Sequence, residues 1–186
     1  MKVCIDPGHG MSNRKLGVFD PGATHVENGF RFQEAAIALR YGLTLKDQFR
    51  ASGHEVFMTR DDDQDHAPVS RRASNAKSAN CEVFISLHLN DVEDDNANGL
   101  EVLFRDNADQ SLAQKLQNAL VEVTDFKDRT IKKREDLAVL KFQGPAVLIE
   151  LGFIANDGDR TKLLDPQMRE AICGAITRVT LAHFNS

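Results

Sequence analysis

Three short apolar runs, Val3-Cys4-Ile5, Val83-Phe84-Ile85 and Val147-Leu148-Ile149, each lead within a few residues to a side chain that can bind metal or move a proton: His9, His88 and Glu150. Runs this short, largely β-branched and bounded by Gly, Pro or polar residues, read as buried parallel strands rather than helices. Ligand sites in open α/β sheets lie beyond the carboxyl ends of the strands. Two imidazoles and a carboxylate, remote in sequence, are therefore expected to converge on one edge of one sheet. That is the layout of a metal-dependent hydrolase.

The rest of the chain supplies the frame for such a sheet. A glycine-rich loop over residues 8–29 precedes a helical pattern over 32–51, where Ile37, Leu39, Leu43, Leu45 and Phe49 make a broad apolar face. Ser52-Gly53 stops it, and a strand follows over 54–59. An acidic loop at 61–65 leads to a second helix over 69–79, a strand over 82–87, a polar loop over 90–98 and a strand over 100–104. Leu112, Leu116, Ala119, Leu120 and Val123 mark a helix over 111–123. Short strands at 137–140 and 146–149 flank Gly144-Pro145, and a helix over 166–184 closes the chain. Strands alternating with helices predict an α/β sandwich with a central, mainly parallel sheet flanked by helices. With 186 residues, 41% of them hydrophobic, and no Ser-, Gly- or Pro-rich stretch, the whole of 1–186 is expected to be one catalytic domain.

Charge and composition narrow the functions. A net charge of −5 speaks against nucleic-acid binding, which needs clustered Lys and Arg. The one basic cluster, Lys132-Lys133-Arg134, is short and flanked by acids, and reads as a solvated loop with substrate contact as the alternative. No run is long enough to cross a bilayer, and Met1-Lys2 leads straight into a strand without a signal-peptide pattern, so synthesis in the cytoplasm is expected. Cys4, Cys81 and Cys173 are odd in number and widely spaced, and read as small buried residues rather than disulfides or zinc ligands.

In Asp6-Pro7-Gly8-His9-Gly10, proline sets the backbone angle and the glycines let the chain turn so that His9 faces a cleft. Asp6 is expected to accept the second imidazole N–H of His9, fixing its tautomer. His88 ends another strand. Two histidines call for an anionic third ligand that leaves a position open for water; Glu34, at a helix start where the dipole favours its charge, is the choice, with Glu27 and His25 as competitors. Glu150 stands where a carboxylate costs several kcal/mol unless paired. Partial burial would raise its pKa into the range of a general base and acid, the plainer reading being a salt bridge to Arg72 or Arg134. Asp6, Arg72, Asn90 and Arg134 are the candidates for supporting the ligands or touching substrate.

Taken together these segments resemble the zinc-dependent N-acetylmuramoyl-L-alanine amidases of the branch called amidase type 3. The likeness is carried by Asp6-Pro-Gly-His9-Gly, Asp20-Pro-Gly-Ala23, Glu34, Thr59-Arg60-Asp61-Asp62, Arg72, Ser86-Leu-His88-Leu-Asn90 and Val147-Leu-Ile-Glu150-Leu-Gly-Phe153-Ile, in order along almost the whole chain. The resemblance implies that His9, Glu34 and His88 bind Zn2+ and that Glu150 is catalytic. The family's spacing from its helix glutamate to the glycine ending that helix is kept from Glu34 to Gly53, which favours Glu34 over Glu27. Two departures stand out. Leu89 replaces the family's usual small residue and is expected to narrow the cleft, and the loop after His88 is too short for the inhibitory helix of regulated members.

The activity implied is cleavage of the amide between N-acetylmuramic acid and L-alanine in peptidoglycan, with no nucleic acid, membrane insertion or obligate protein partner. A zinc peptidase cutting within the stem peptide, or a non-catalytic wall-binding module with a structural zinc, are the rivals. Single-domain size and the absence of a signal peptide suggest a phage or prophage endolysin, made in the cytoplasm and acting on the wall after release.

Overall fold

The computed structural model describes residues 1–92, 94 and 96–184. Strand β1 (Lys2–Pro7) is followed by two small hairpins, β2 (Gly10–Met11) with β3 (Phe19–Asp20) and β4 (Thr24–Glu27) with β5 (Phe30–Gln33). Then come α1 (Glu34–Ala51), β6 (Glu55–Met58), α2 (Val69–Ser78), β7 (Val83–Asn90) and β8 (Leu100–Phe104). The chain ends with α3 (Gln110–Thr124), β9 (Asp128–Lys133), a single 3-10 turn (Val139–Lys141), β10 (Ala146–Phe153), α4 (Asp157–Leu164) and α5 (Pro166–Phe184). Among the described residues no helix is long and apolar enough to cross a membrane.

The six-stranded sheet has the order β6-β1-β7-β10-β8-β9. The three foreseen apolar runs are its central strands, and β6, β1, β7 and β10 are mutually parallel. Strand β8 runs antiparallel to β10 and carries β9 parallel to itself, so the sheet is mixed at that edge. Alternation of side chains then sorts each strand between two cores. Val3, Ile5, Val83, Ile85, Leu87, Val147 and Ile149 face α1, α3 and α5, whereas Cys4, Phe84 and Leu148 face Ala76 of α2 and Val139, Leu140 and Phe142 around the 3-10 turn. Both faces are buried, which is why these strands are continuously apolar. The second cover is the smaller one. It stops short of the strands' C-terminal ends, and there the sheet face carries polar side chains.

Several elements differ from the sequence expectation. The loop over 8–29 contains the first hairpin and opens the second, whose strand β5 takes the first two residues of the helix expected from 32, so that α1 begins at Glu34; these short, half-exposed strands lack an apolar signal. The strand expected at 137–140 is the 3-10 turn, because both edges of β10 are already taken by β7 and β8 and these apolar residues plug the second core instead. Strand β9 is too charged, and α4 too short and polar, to stand out by periodicity.

Candidate metal centre

The end of β1 is held from behind by two buried arginines. Arg60 and Arg72 are only 1% and 2% exposed. Arg60 donates to the carbonyls of Pro7 (3.1 Å), Gly8 (2.8 Å) and Ala35 (2.6 Å). Arg72 donates to those of Pro7 (2.8 Å), His9 (2.5 Å) and Ala67 (3.0 Å). Each carbonyl from Pro7 to His9, which the sharp turn would otherwise leave unpaired, thus meets a guanidinium. The turn places His9 at φ 61°, a left-handed conformation uncommon outside glycine and worth its cost only where the side chain must be aimed. Gly8 is required by packing: a Cβ there would come within 2.4 Å of the His88 ring.

His9, Glu34 and His88 meet above this turn, their potential ligand atoms all within 4.8 Å of one another. Glu34 Oε2 lies 3.0 Å from His9 Nε2, and Glu34 Oε1 lies 2.8 Å from His88 Nδ1. The same carboxylate accepts backbone N–H bonds from Ala23 (2.8 Å) and Leu89 (3.0 Å), which pin it to the loop before β4 and to β7. Burial alone would raise the Glu34 pKa, but hydrogen bonds and charge from His88 and His9 outweigh it and hold the carboxyl well below the usual range. Burial would lower the His88 pKa; Glu34 and neighbouring carboxylates reverse that and raise it. Two imidazoles and one ionised carboxylate form a donor set suited to zinc, whose two ligand atoms on one tetrahedral ion stand about 3.3 Å apart for bonds near 2.0 Å. The two contacts, at 3.0 and 2.8 Å, lie a few tenths of an ångström inside that value, and the donor set fits the ion. Glu27, the competitor, is turned away to an ion pair with Arg160 at 3.0 Å.

The carboxylate supporting His9 is not Asp6. Asp20 Oδ2 takes the His9 Nδ1 contact at 3.1 Å and is itself fixed by Asn13 Nδ2 at 2.7 Å, while Gly22 N–H donates to Oδ1 at 3.0 Å. With Nδ1–H donated to Asp20, Nε2 of His9 is the nitrogen left to face the ligand cluster. Asp6, an even position on β1, points instead under the turn, where Arg72 (2.7 Å), Ser86 (2.6 Å) and Thr59 (2.6 Å) donate to it. Arg72 therefore acts through the backbone of His9 rather than on Glu150. Arg134 is spent on Asp136, with bonds of 2.8 and 2.7 Å at the surface. The expected narrowing by Leu89 does not occur: it is 3% exposed and packs in the opposite core, because alternation turns it away from His88. Asn90 lies on the His88 face at the end of β7, its side-chain nitrogen buried and its carbonyl accepting from Ile154 N–H at 3.1 Å.

Glu150 stands one strand over, directly opposite His88 on β7 and Glu101 on β8. Its Oε2 is buried without a hydrogen-bond partner. Burial pushes its pKa up to about 7, with Glu34 and Glu101 adding to the rise and His88 and His9 opposing it. Such a carboxyl can take and return a proton near neutrality. A cleft of about 350 Å³ opens beside the two imidazoles, walled by Asn13, Arg14, Val69, Leu137, Val139 and Leu148. Sequence reasoning did not assign roles to Asp20, Arg60 or Glu101. For Glu101 a signal was present, a lone charge inside the apolar run Leu100-Glu101-Val102-Leu103.

Comparison with known proteins agrees with this architecture. A family model described as N-acetylmuramoyl-L-alanine amidase matches residues 3–180. The probable cell wall amidase LytH of Staphylococcus epidermidis is 29% identical over 184 residues, which cover 99% of this chain and 58% of that protein. This chain thus spans little more than half the length of that curated relative. Among solved structures, an N-acetylmuramoyl-L-alanine amidase from Clostridium difficile superposes with a TM-score of 0.88 at 25% identity, covering 100% of this chain and 97% of the other. The catalytic domain of the CD27L endolysin, which targets the same organism, gives 0.78 at 26% identity, covering 98% and 97%.

Proposed function

Since the chain belongs to the N-acetylmuramoyl-L-alanine amidase family, we propose that it is a zinc-dependent peptidoglycan hydrolase cleaving the amide between N-acetylmuramic acid and L-alanine. The observation that carries the reading is Glu150, whose Oε2 is buried without a hydrogen-bond partner beside the His9, Glu34 and His88 cluster. His9, Glu34 and His88 would hold the ion, whose chemistry there is to acidify a water and polarise the scissile carbonyl.

The chain's own residues divide the remaining work. Glu150 accepts the proton of the attacking water and returns it to the departing alanine nitrogen, which an amide needs because its amine is a poor leaving group. Asp20 keeps His9 in one tautomer through the cycle. Arg60 and Arg72 keep the His9 backbone from relaxing out of its left-handed turn.

Mass spectrometry of products from purified peptidoglycan tests the reading, using metal-loaded enzyme, chelated enzyme, and chelated enzyme given zinc back. Free stem peptides beginning at L-alanine, lost on chelation and restored by zinc, are the expected result. Cuts elsewhere in the peptide would make it a peptidase, and zinc-loaded protein without products a binding module. A phage or prophage endolysin, made in the cytoplasm and acting on the wall after release, is the finer reading, supported by the likeness to the CD27L catalytic domain. Co-expression with a holin should then lyse the host, and failure to lyse would leave a cellular wall amidase.

A further inference from the structure

Next to Glu150 the sheet edge carries a feature that the hydrolytic step leaves unused. In the β8–β9 pairing Leu100 faces Asp128 and Val102 faces Ile131, so two residues of β9, Arg129 and Thr130, stand against the single residue Glu101. This bulge puts Thr130, a β-branched residue, at φ 65° in the left-handed region, with its N–H tied to Asp128 Oδ1 at 2.8 Å. Bulges re-aim side chains and are frequent beside active sites, and a β-branched residue at such a φ is an outlier that calls for a reason.

Here both flanking cations, Arg129 and Lys132, are aimed at the same atom. Arg129 Nε lies 3.0 Å from Glu101 Oε2, and Lys132 Nζ bonds to that oxygen too. Arg129 is further locked, its guanidinium 4.8 Å over the ring of Phe153. Lys132 is not: its side chain is 43% exposed, and Glu101 is its sole partner among the described residues. Two cations on one carboxylate leave one positive charge in excess, and the ammonium has two further N–H donors to offer.

The direction of the substrate derives from the proposed function, on which this inference rests. The carboxyl that protonates the leaving nitrogen stands on β10, on the β8 side of His88. The leaving peptide therefore runs over β8 and β9, and the sugar side faces the cleft by Arg14 and Val69. Adjacent strands are about 4.8 Å apart and an extended peptide advances about 3.3–3.6 Å per residue. The residue after the released alanine thus comes over Glu101 and Lys132. In peptidoglycan that residue is a D-glutamate joined onward through its side chain, which leaves its α-carboxyl free or, in some walls, amidated.

We propose that Lys132, presented by the β9 bulge and seated on Glu101 beside Arg129, binds the free α-carboxylate of that second stem-peptide residue and makes the enzyme select carboxylate over carboxamide there.

The test uses two defined muropeptides that differ only in carboxylate or carboxamide at the second residue, hydrolysed by zinc-loaded enzyme. The wild-type protein should prefer the carboxylate by about tenfold or more in kcat/KM, mostly through KM, as a charge-assisted hydrogen bond made equally in ground and transition states would give. Lys132→Met should bring the ratio of the two kcat/KM values close to one, and Lys132→Arg should keep most of it. Lys133→Met, on the same strand but paired with Glu135, should leave the ratio as in wild type. Equal use of both substrates by the wild type, or a ratio undiminished in Lys132→Met, overturns the inference while leaving the amidase intact. Failure to cut either substrate defeats the amidase reading itself, and the inference with it.

Discussion

Asp6 and Glu150 lie in the C-terminal halves of central strands on the same face of one sheet, and burial alone would raise the pKa of both. Asp6 instead lies below its ordinary value, because Arg72, Ser86 and Thr59 together outweigh its desolvation. Glu150 lies near 7, its Oε2 meeting no donor and its neighbours including two more carboxylates. Burial is common to the two; the number of donors separates them. A buried acid with its lone pairs filled is a structural strut, and one with an unfilled oxygen beside a metal-capable cluster is a candidate for proton transfer.

The sharpest way to break that contrast is Glu150→Gln, expected to lower turnover by roughly 10²–10⁴-fold with zinc content unchanged by metal analysis. Full activity would make the unpartnered carboxyl a bystander. Asp6→Asn should act on stability instead, costing about 3–5 kcal/mol in urea unfolding because Arg72 is left buried without its counter-charge. A loss below about 1 kcal/mol would show that Asp6 is no strut.

The two carboxyls should also respond to pH with opposite signs in chelated protein. Glu150 binds its proton more tightly folded than unfolded, so its contribution is fully present below its ordinary value of 4.5 and is lost as pH rises toward 7. Glu150→Gln should thus match wild type near pH 4 and exceed it at pH 8 by about 3 kcal/mol. The Asp6 contribution is present above its ordinary value of 3.8 and is lost as pH falls below it. Thermal melts of both variants across pH 3–8 read the two signs; parallel curves would contradict the comparison. The smallest effect expected is that of Asp20→Asn, a loss of about 10–100-fold in zinc affinity by competition with a chromogenic chelator. No change there would remove Asp20 from the support of His9.

Much of this was legible in the sequence. The runs before His9, His88 and Glu150 are central strands because β-branched, two-sided burial leaves no other solution, and their C-terminal ends bring the adjoining residues to one edge of the sheet. Nearness in sequence points to Asp6 as the support of His9, but strand parity sends position 6 under the turn while a hairpin brings position 20 to the imidazole. Parity also disposes of Leu89 as an obstacle. The Lys132, Lys133 and Arg134 cluster reads in sequence as a solvated loop with substrate contact as the alternative, yet its charges split between Glu101, Glu135 and Asp136. Strand alternation separates Lys132 from Lys133, and the bulge, which depends on pairing and leaves no mark in composition, decides which of them shares a face with Glu101.

The strand order has a consequence for when the site can be assembled. Strand β10 enters the sheet between β7 and β8, which precede it in the chain. A chain still being synthesised and halted before residue 146 carries His9, Glu34 and His88, but neither the strand that joins the two halves of the sheet nor Glu150. On the proposed function, a copy halted there is expected to be inert until β10 is in place.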